Sequence, residues 1–334
     1  MSPQRILFGR KSKSAVWYLG LVLFCLGFIK PHGIGADFRV ITVKKGDSLS
    51  YLCFKLYKKY DDTIAAQIKK HNPEIRNINS IQVGQKIRFP KLSLLENVPP
   101  KISKPANRLQ PEDAHLTYLH GDAELRRLHA QKWEPVRVNT KLKQGDRVRI
   151  GTKSKAEIIT FDGDIIRLAQ NSELTISYLQ KNPVKKIKKK RLFLHIGRMW
   201  NKTKSLLRSE SEYTVMTPNA ISGIRGTAYN IDVSSEQTTL IKIFSGSVKI
   251  WRFPPLRSDD EDWKITEPVP IQGPIPVTME EWTGIILKLH QELSITRQGA
   301  TIRPFDPKYD EIHDDWIKWN KMRDKAFDSF KTWD

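Results

Sequence analysis

Cysteine is scarce: two in 334 residues, Cys25 and Cys53. So low a count excludes a disulfide-stapled scaffold and any Cys-x-x-Cys redox or metal motif. The chain also lacks a phosphate-cradling Gly-rich loop, a dinucleotide fingerprint, a His-Glu-x-x-His pair and a nucleophile elbow. Its eight histidines are scattered, none four residues from another. The acids Glu280 and Glu281 are adjacent, so on a helix they diverge and do not make a pair flanking a glycosidic bond. These absences argue against an enzyme, and none of the motifs present calls for a cofactor or a metal.

No acid occurs before Asp37, and Arg5, Arg10, Lys11 and Lys13 precede an apolar run at residues 15–29. A basic flank ahead of roughly 7–15 apolar residues is the layout of a secretory signal. The run is short of the ~20 residues that span a bilayer. Ile34-Gly35-Ala36 supplies a small residue for cleavage. Residues 1–36 are therefore expected to be a signal peptide or, uncleaved, an inner-membrane anchor. Either delivers the remainder to the periplasm or cell envelope, which removes nucleic acid as a partner. Cys53 would then be the one cysteine left, a small buried hydrophobe on an apolar helix face.

Charge is unevenly spread. Lys and Arg number 57 against 36 Asp and Glu, a net +21, yet residues 256–334 hold 11 basic against 16 acidic side chains. A basic body thus precedes an acidic C-terminal segment, and the body is suited to an anionic surface through attraction that salt weakens.

Val40-Ile41-Thr42-Val43 is β-branched throughout and predicts a strand. Leu49, Leu52, Cys53, Leu56 and Tyr57 then recur at helical spacing, behind Asp47 and Ser48 as capping residues. A second helix is expected from Asp62, burying Ile64, Ala65 and Ile68 and ending before Asn72-Pro73, with a last strand at Lys86-Ile87-Arg88-Phe89. Residues 40–90 resemble the LysM domain through Val43-Lys44-Lys45-Gly46-Asp47-Ser48-Leu49, Asn72-Pro73 and Ile81-Gln82-Val83-Gly84-Gln85-Lys86-Ile87. The resemblance implies a βααβ fold that binds N-acetylglucosamine polymers such as peptidoglycan or chitin. In the family the sugar groove lies between the loop entering the first helix and the loop leaving the second. Carried over, this nominates Gly46, Asp47, Ser48 and Leu49 on one side and Asn72, Pro73, Ile81 and Val83 on the other. Backbone groups and short polar side chains would read the acetamido group there, while apolar side chains cover its methyl.

Prolines 90, 99, 100, 105 and 111 mark residues 91–118 as a semi-extended linker. From Gly121 short alternating runs replace the helical period, with Asp162-Gly163 as a hairpin turn and Ser245-Gly246-Ser247 as another tight turn. Residues 119–255 are expected to form an all-β sandwich or barrel. They resemble the FecR periplasmic domain through Leu142-Lys143-Gln144-Gly145-Asp146-Arg147-Val148, Phe161-Asp162-Gly163, Thr217-Pro218-Asn219-Ala220, Ile224-Arg225-Gly226-Thr227 and Phe244-Ser245-Gly246-Ser247-Val248. That family is extracytoplasmic and non-catalytic, and its best-known member relays a signal to a sigma factor. With fourteen residues ahead of the apolar run, the expectation here is a freestanding envelope protein.

Seven basic residues and no acid occupy 181–191. They predict a protruding loop in which Lys185, Lys186, Lys188, Lys189, Lys190 and Arg191 meet an anionic lipid surface or an acidic envelope protein. Residues 256–334 read as an acidic, proline-rich connector, a short helix around Ile285-Ile286-Leu287, and a C-terminal helix carrying Ile312, Trp316, Trp319, Met322 and Phe327. The chain as a whole is expected to be multidomain: a small α+β module, a β domain and a helical C-terminal segment. Its expected role is that of a non-enzymatic bacterial envelope protein that binds peptidoglycan and presents a β domain for scaffolding or contact. The alternative is a membrane-anchored, signal-sensing regulator of FecR type.

Overall fold

Two strands and two helices open the computed structural model, which describes residues 37–95, 107–203, 210–252, 285–296 and 298–329. The expected signal or anchor at 1–36 and the connector around Trp263 and Trp282 lie outside the described residues. Strands β1 (Phe38–Thr42) and β2 (Lys86–Pro90) pair antiparallel, Phe38 opposite Pro90 and Thr42 opposite Lys86. Between them run α1 (Leu49–Tyr57) and α2 (Asp62–His71). Ser48 caps α1 by accepting from the Tyr51 N–H, and Asp61 caps α2 by accepting from the Ile64 N–H. The βααβ order is the one the residue spacing predicts.

Helix α1 is buried on every side. Leu52, Cys53 and Leu56 face Ile68, Ile87 and Phe89 within the module, as their spacing requires. Tyr51 and Phe54 lie off that stripe and are buried as well, the first beside Phe327 and the second beside His115. Ile159, Ile165 and Phe327 from distant parts of the chain complete this core. A module of about fifty residues buries too little on its own to be more than marginal. Here a second surface covers the outer face of α1. The proline-rich stretch therefore does not hold the two units apart: it contains α3 (Leu92–Leu95) and β3 (Gln110–Pro111), and β4 (Ala114–His120) begins inside it.

The β region continues with β5 (Ala123–Arg126), β6 (Glu134–Pro135), β7 (Lys141–Leu142), β8 (Arg147–Ile150) and β9 (Lys155–Thr160). After the Asp162-Gly163 turn come β10 (Ile165–Leu168), β11 (Glu173–Lys181), β12 (Lys188–Lys202) and β13 (Glu212–Met216). The long hairpin β14 (Ala220–Val233) and β15 (Thr239–Arg252) follows, then β16 (Ile285–Leu287), β17 (Gln291–Ile295) and β18 (Ala300–Pro304). The main path of this sheet runs β18-β17-β15-β14-β13-β12-β10-β9-β4-β7, and the sheet is not closed.

Three local expectations differ from what is found. Ser245-Gly246-Ser247 lies inside the continuous strand β15, where Gly246 at φ 74° sits opposite a bulge in β14. A Cβ there would come 2.6 Å from the Gly226 carbonyl oxygen, so the glycine serves a close approach of two strands. Ile285, Ile286 and Leu287 form a strand, not a helix, because the edge of β15 at Val248, Lys249 and Ile250 takes them up. Residues 181–191 are not one loop: β11 runs to Lys181, β12 starts at Lys188, and the six-residue turn between them is held by Asn182 Oδ1 accepting from the Val184 and Lys185 N–H groups.

The chain ends in α4 (Pro307–His313) and α5 (Asp315–Asp328). Trp316, Ile317, Asn320, Asp324 and Phe327 form the buried face of α5 against the sheet. No helix among the described residues is long and apolar enough to cross a membrane.

Candidate carbohydrate-binding groove

The two loops nominated as groove walls are joined at their base. The Val43 N–H donates to the Gln85 carbonyl and the Gly84 N–H to the Val43 carbonyl, each at 2.8 Å. Gly46 adopts φ 88°, and the Lys44 N–H donates to Asp47 Oδ2 at 2.9 Å, which closes the turn into α1. On the opposite wall Pro73 and Val83 are exposed and Ile81 is half-buried against the module core. The loop leaving α2 also encloses a polar cavity of about 390 Å³ beside Glu74, Arg76, Asn77, Ser80 and Gln82.

The remaining nominees are engaged within the fold. Asn72 is buried; its Nδ2 donates to the carbonyls of Ile68 and Arg88, and its Oδ1 accepts from the Arg88 N–H. Those bonds tie the end of α2 to β2. Leu49 is fully buried, and the Ser48 hydroxyl, besides capping α1, donates to the Thr117 carbonyl of β4. Gly46 lies on the ring of Tyr118, where a Cβ would come 3.1 Å from Cε2. Asp47 is half-buried beside it, and burial raises its pKa against the pull of the Lys44 N–H, Lys55 and Arg323. Four nominees on the α1 side thus face the β region and α5, while three on the other wall stay open or partly open.

Asn139 sits between the two walls. Its Oδ1 accepts from the Ser50 N–H at the start of α1 (3.0 Å), and its Nδ2 donates to the Ile78 carbonyl (2.9 Å) and to Asn79 Oδ1 (3.1 Å). The residue is left-handed at φ 66°, a conformation Asn tolerates, and its own N–H donates to the Leu116 carbonyl. Arg323 of α5 closes the same side, its guanidinium 4.5 Å from the Tyr51 ring centre and 4.4 Å from that of Tyr118. Asn139, Tyr118 and Arg323 are absent from the sequence-derived site because they lie outside the LysM-like motif, 31 or more positions beyond its last residue, Ile87.

The basic stretch is divided by strand alternation. Lys185 and Lys186 are exposed in the turn. Lys188 and Lys189 reach Asp162 and Glu212, at 3.1 and 3.5 Å, and the Arg191 guanidinium lies 6.0 Å from the Tyr178 ring centre. Lys190 is buried, with its ammonium on Asp162 and Asp164. Burial works against its charge, but the two carboxylates prevail and hold its pKa above the ordinary value. Lys190 is therefore no surface contact: the pleat turns it inward, where those acids receive it. Among the described residues no group of three or more potential metal ligands occurs, and burial pushes the Cys53 thiol well above its usual pKa.

Comparison with known proteins gives two family matches, the LysM domain over residues 41–90 and the family described as FecR protein over residues 146–249. None of the curated proteins matches the chain. Two crystal structures of a candidate anti-sigma factor from Parabacteroides distasonis are similar to it at 11% and 10% identity, each with a TM-score of 0.33. Each similarity covers 48% of this chain and 60% of the other, so the chain spans about three fifths of the length of those proteins. The chain thus carries a LysM domain followed, beyond the stretch containing β3 and β4, by a FecR domain.

Proposed function

We propose that this is a non-enzymatic bacterial envelope protein whose LysM domain binds an N-acetylglucosamine polymer such as peptidoglycan, and whose β region, which contains the FecR domain, is a scaffold that controls access to the groove. The observation that carries this reading is the carboxamide of Asn139. An acetamido group offers one carbonyl acceptor and one N–H donor, the same pair that Asn139 presents to the Ser50 N–H and the Ile78 carbonyl. A sugar acetamide entering from the open wall at Pro73 and Val83 would replace those bonds one for one. The groove has suitable chemistry for an N-acetyl group and is internally filled.

Filling lowers affinity without changing the chemistry, because apparent affinity falls in proportion to the open fraction. A single open groove of this size would bind at about the millimolar level, roughly −4 kcal/mol, so retention on a wall needs avidity or a second contact. The test is retention of residues 37–334 on purified sacculi, with Asn139→Ala beside the wild type. Removing the internal competitor is expected to raise retention about tenfold, the equivalent of one or two hydrogen bonds. Binding through sugar contacts persists at about 1 M salt, whereas attraction to the basic body does not. Failure of both proteins to bind sacculi and chitooligomers would refute the reading.

A further inference from the structure

A second cavity, of about 610 Å³, opens in the β region between the turn after β5 and the faces of β8, β11 and β12. Its described lining holds arginines from three strands and no acid. Arg126 and Arg147 are directly opposite each other in the β5–β8 ladder, a register in which like charges repel. Arg191 and His195, four residues apart on β12, complete the polar wall, while Leu128, Tyr178 and Met216 give the cavity an apolar side.

Charge accounting leaves an excess. Glu173 pairs with Arg147, and Asp146 pairs with the neighbouring Arg127 at 2.6 Å. Arg126 has the Trp133 ring at 5.1 Å and Arg191 the Tyr178 ring at 6.0 Å, and neither has a carboxylate partner among the described residues. His195 registers the resulting field. Its Nε2 lies 2.8 Å from Thr175 Oγ1, and burial, followed by the charges of Arg147 and Arg126, pushes its pKa down to about 3. The imidazole is held neutral beside Arg126, whose charge no described carboxylate offsets, and Arg147, whose charge Glu173 meets.

We infer that this cavity binds a phosphoryl group borne on an amphiphile, with Arg126 and Arg191 on the anionic oxygens and Leu128, Tyr178 and Met216 against the apolar part. Two uncompensated guanidiniums on different walls match a dianion with three terminal oxygens; a planar carboxylate satisfies one such fork. The cavity shares no residue with the LysM groove, so this inference stands or falls apart from the glycan reading.

The experiment titrates residues 37–334 with dihexanoyl phosphatidic acid, inorganic phosphate and hexanoate, following heat and the His195 imidazole resonances. Saturable 1:1 binding of a phosphate probe is expected, with a rise in the His195 pKa as an anion offsets the arginine charges. Phosphatidic acid alone binding identifies a lipid head group; inorganic phosphate binding equally well identifies a free phosphoryl site. Arg126→Gln and Arg191→Gln should each weaken binding about tenfold, whereas Lys185→Gln in the exposed turn should not. The wild-type His195 titration needs no variant to fold. The inference is overturned by hexanoate binding as well as the phosphates, by equal losses in K185Q, or by no saturable phosphate binding below about 10 mM.

Discussion

Replacing Glu157 with Gln tests what holds the C-terminal helix, and with it the closed groove, in place. Glu157 is fully buried on β9. Its Oε2 accepts from Arg167 Nε and Arg323 Nε, each at 2.7 Å; its Oε1 accepts from Arg323 Nη2 at 2.9 Å and from the Thr117 hydroxyl at 3.0 Å. Arg167 continues to Asp324 at 2.6 Å, and the Trp200 indole N–H donates to the same carboxylate. Two guanidiniums and two carboxylates thus join β9, β10, β12 and α5 in a charge-balanced cluster. Burial alone would raise the Glu157 pKa, but Arg323 and Arg167 outweigh it and bring it from 4.5 to about 2. At about 1.4 kcal/mol per unit, that shift is worth about 3 kcal/mol of folding stability at neutral pH. Because the folded-state value is depressed, the contribution is complete above about pH 4.5 and is lost as pH falls through about 2. Glutamine keeps the shape and removes the charge, leaving Arg167 with Asp324 and Arg323 without its carboxylate. Urea unfolding at pH 7 should show E157Q destabilised by about 3 kcal/mol with an unchanged slope, and proteolysis should release α5 first. Between pH 4.5 and 2 the wild type should converge on the variant. A loss under about 1 kcal/mol, or parallel acid profiles, would refute the account.

His115, between Tyr60 and Phe54, carries a second pH dependence. Burial first and then Lys141 lower its pKa to about 4, against the opposing pull of the Asp113, Asp62 and Asp61 carboxylates. The unfolded chain takes up the proton first, so stability falls as pH drops from about 6.5 to 4, and amides of α1, corrected for their intrinsic exchange rates, should be less protected at pH 5 than at pH 7 in the wild type but not in His115→Phe. Gly246→Ala forces a side chain into positive φ and against the Gly226 carbonyl; a loss of about 2 kcal/mol is expected in thermal unfolding. Lys190→Met removes the buried ammonium that Asp162 and Asp164 share, while Lys188 stays with Asp162 at 3.1 Å; a loss of about 3 kcal/mol is expected in urea unfolding. Adding Asp164→Asn should recover part of that loss, and an additive double variant would argue against the pairing.

Legibility followed the distance over which a residue's partners lie. The α1 stripe, its Ser48 cap and the Asp162-Gly163 hairpin depend on neighbours within a few positions, and each is readable from spacing alone. Of the residues assigned to the C-terminal helix by spacing, Trp316 and Phe327 are buried in the docking face of α5, whereas Ile312 and Met322 are exposed; Asn320 and Asp324 join that face because Arg167 of β10 bonds to both. Periodicity is silent about a second buried face: Tyr51 and Phe54 read as surface because their partners, Phe327 and His115, are remote in sequence. A run of basic residues reads as a solvated loop for the same reason, since nothing near Lys190 announces that Asp162 and Asp164 lie beneath it. Ile285, Ile286 and Leu287 are too few to carry any period, and the strand edge that claims them is more than thirty positions away.

The same limit separates the chemistry of the groove from its state. Gly46, Asp47, Ser48 and Asn72 are recognisable because a LysM fold needs those turns and caps wherever it occurs. Whether the slot between them is open depends on Asn139, a single residue in an unremarkable turn whose importance lies in three bonds to residues 60 or more positions away. Those bonds are neutral and few, while Glu157, Arg323 and Asp324 hold the surrounding elements through charge. Removing Asn139 should therefore free the slot while leaving the domains docked, and removing the Glu157 charge should loosen the docking itself. The two perturbations separate access to the groove from the stability of the surface that closes it.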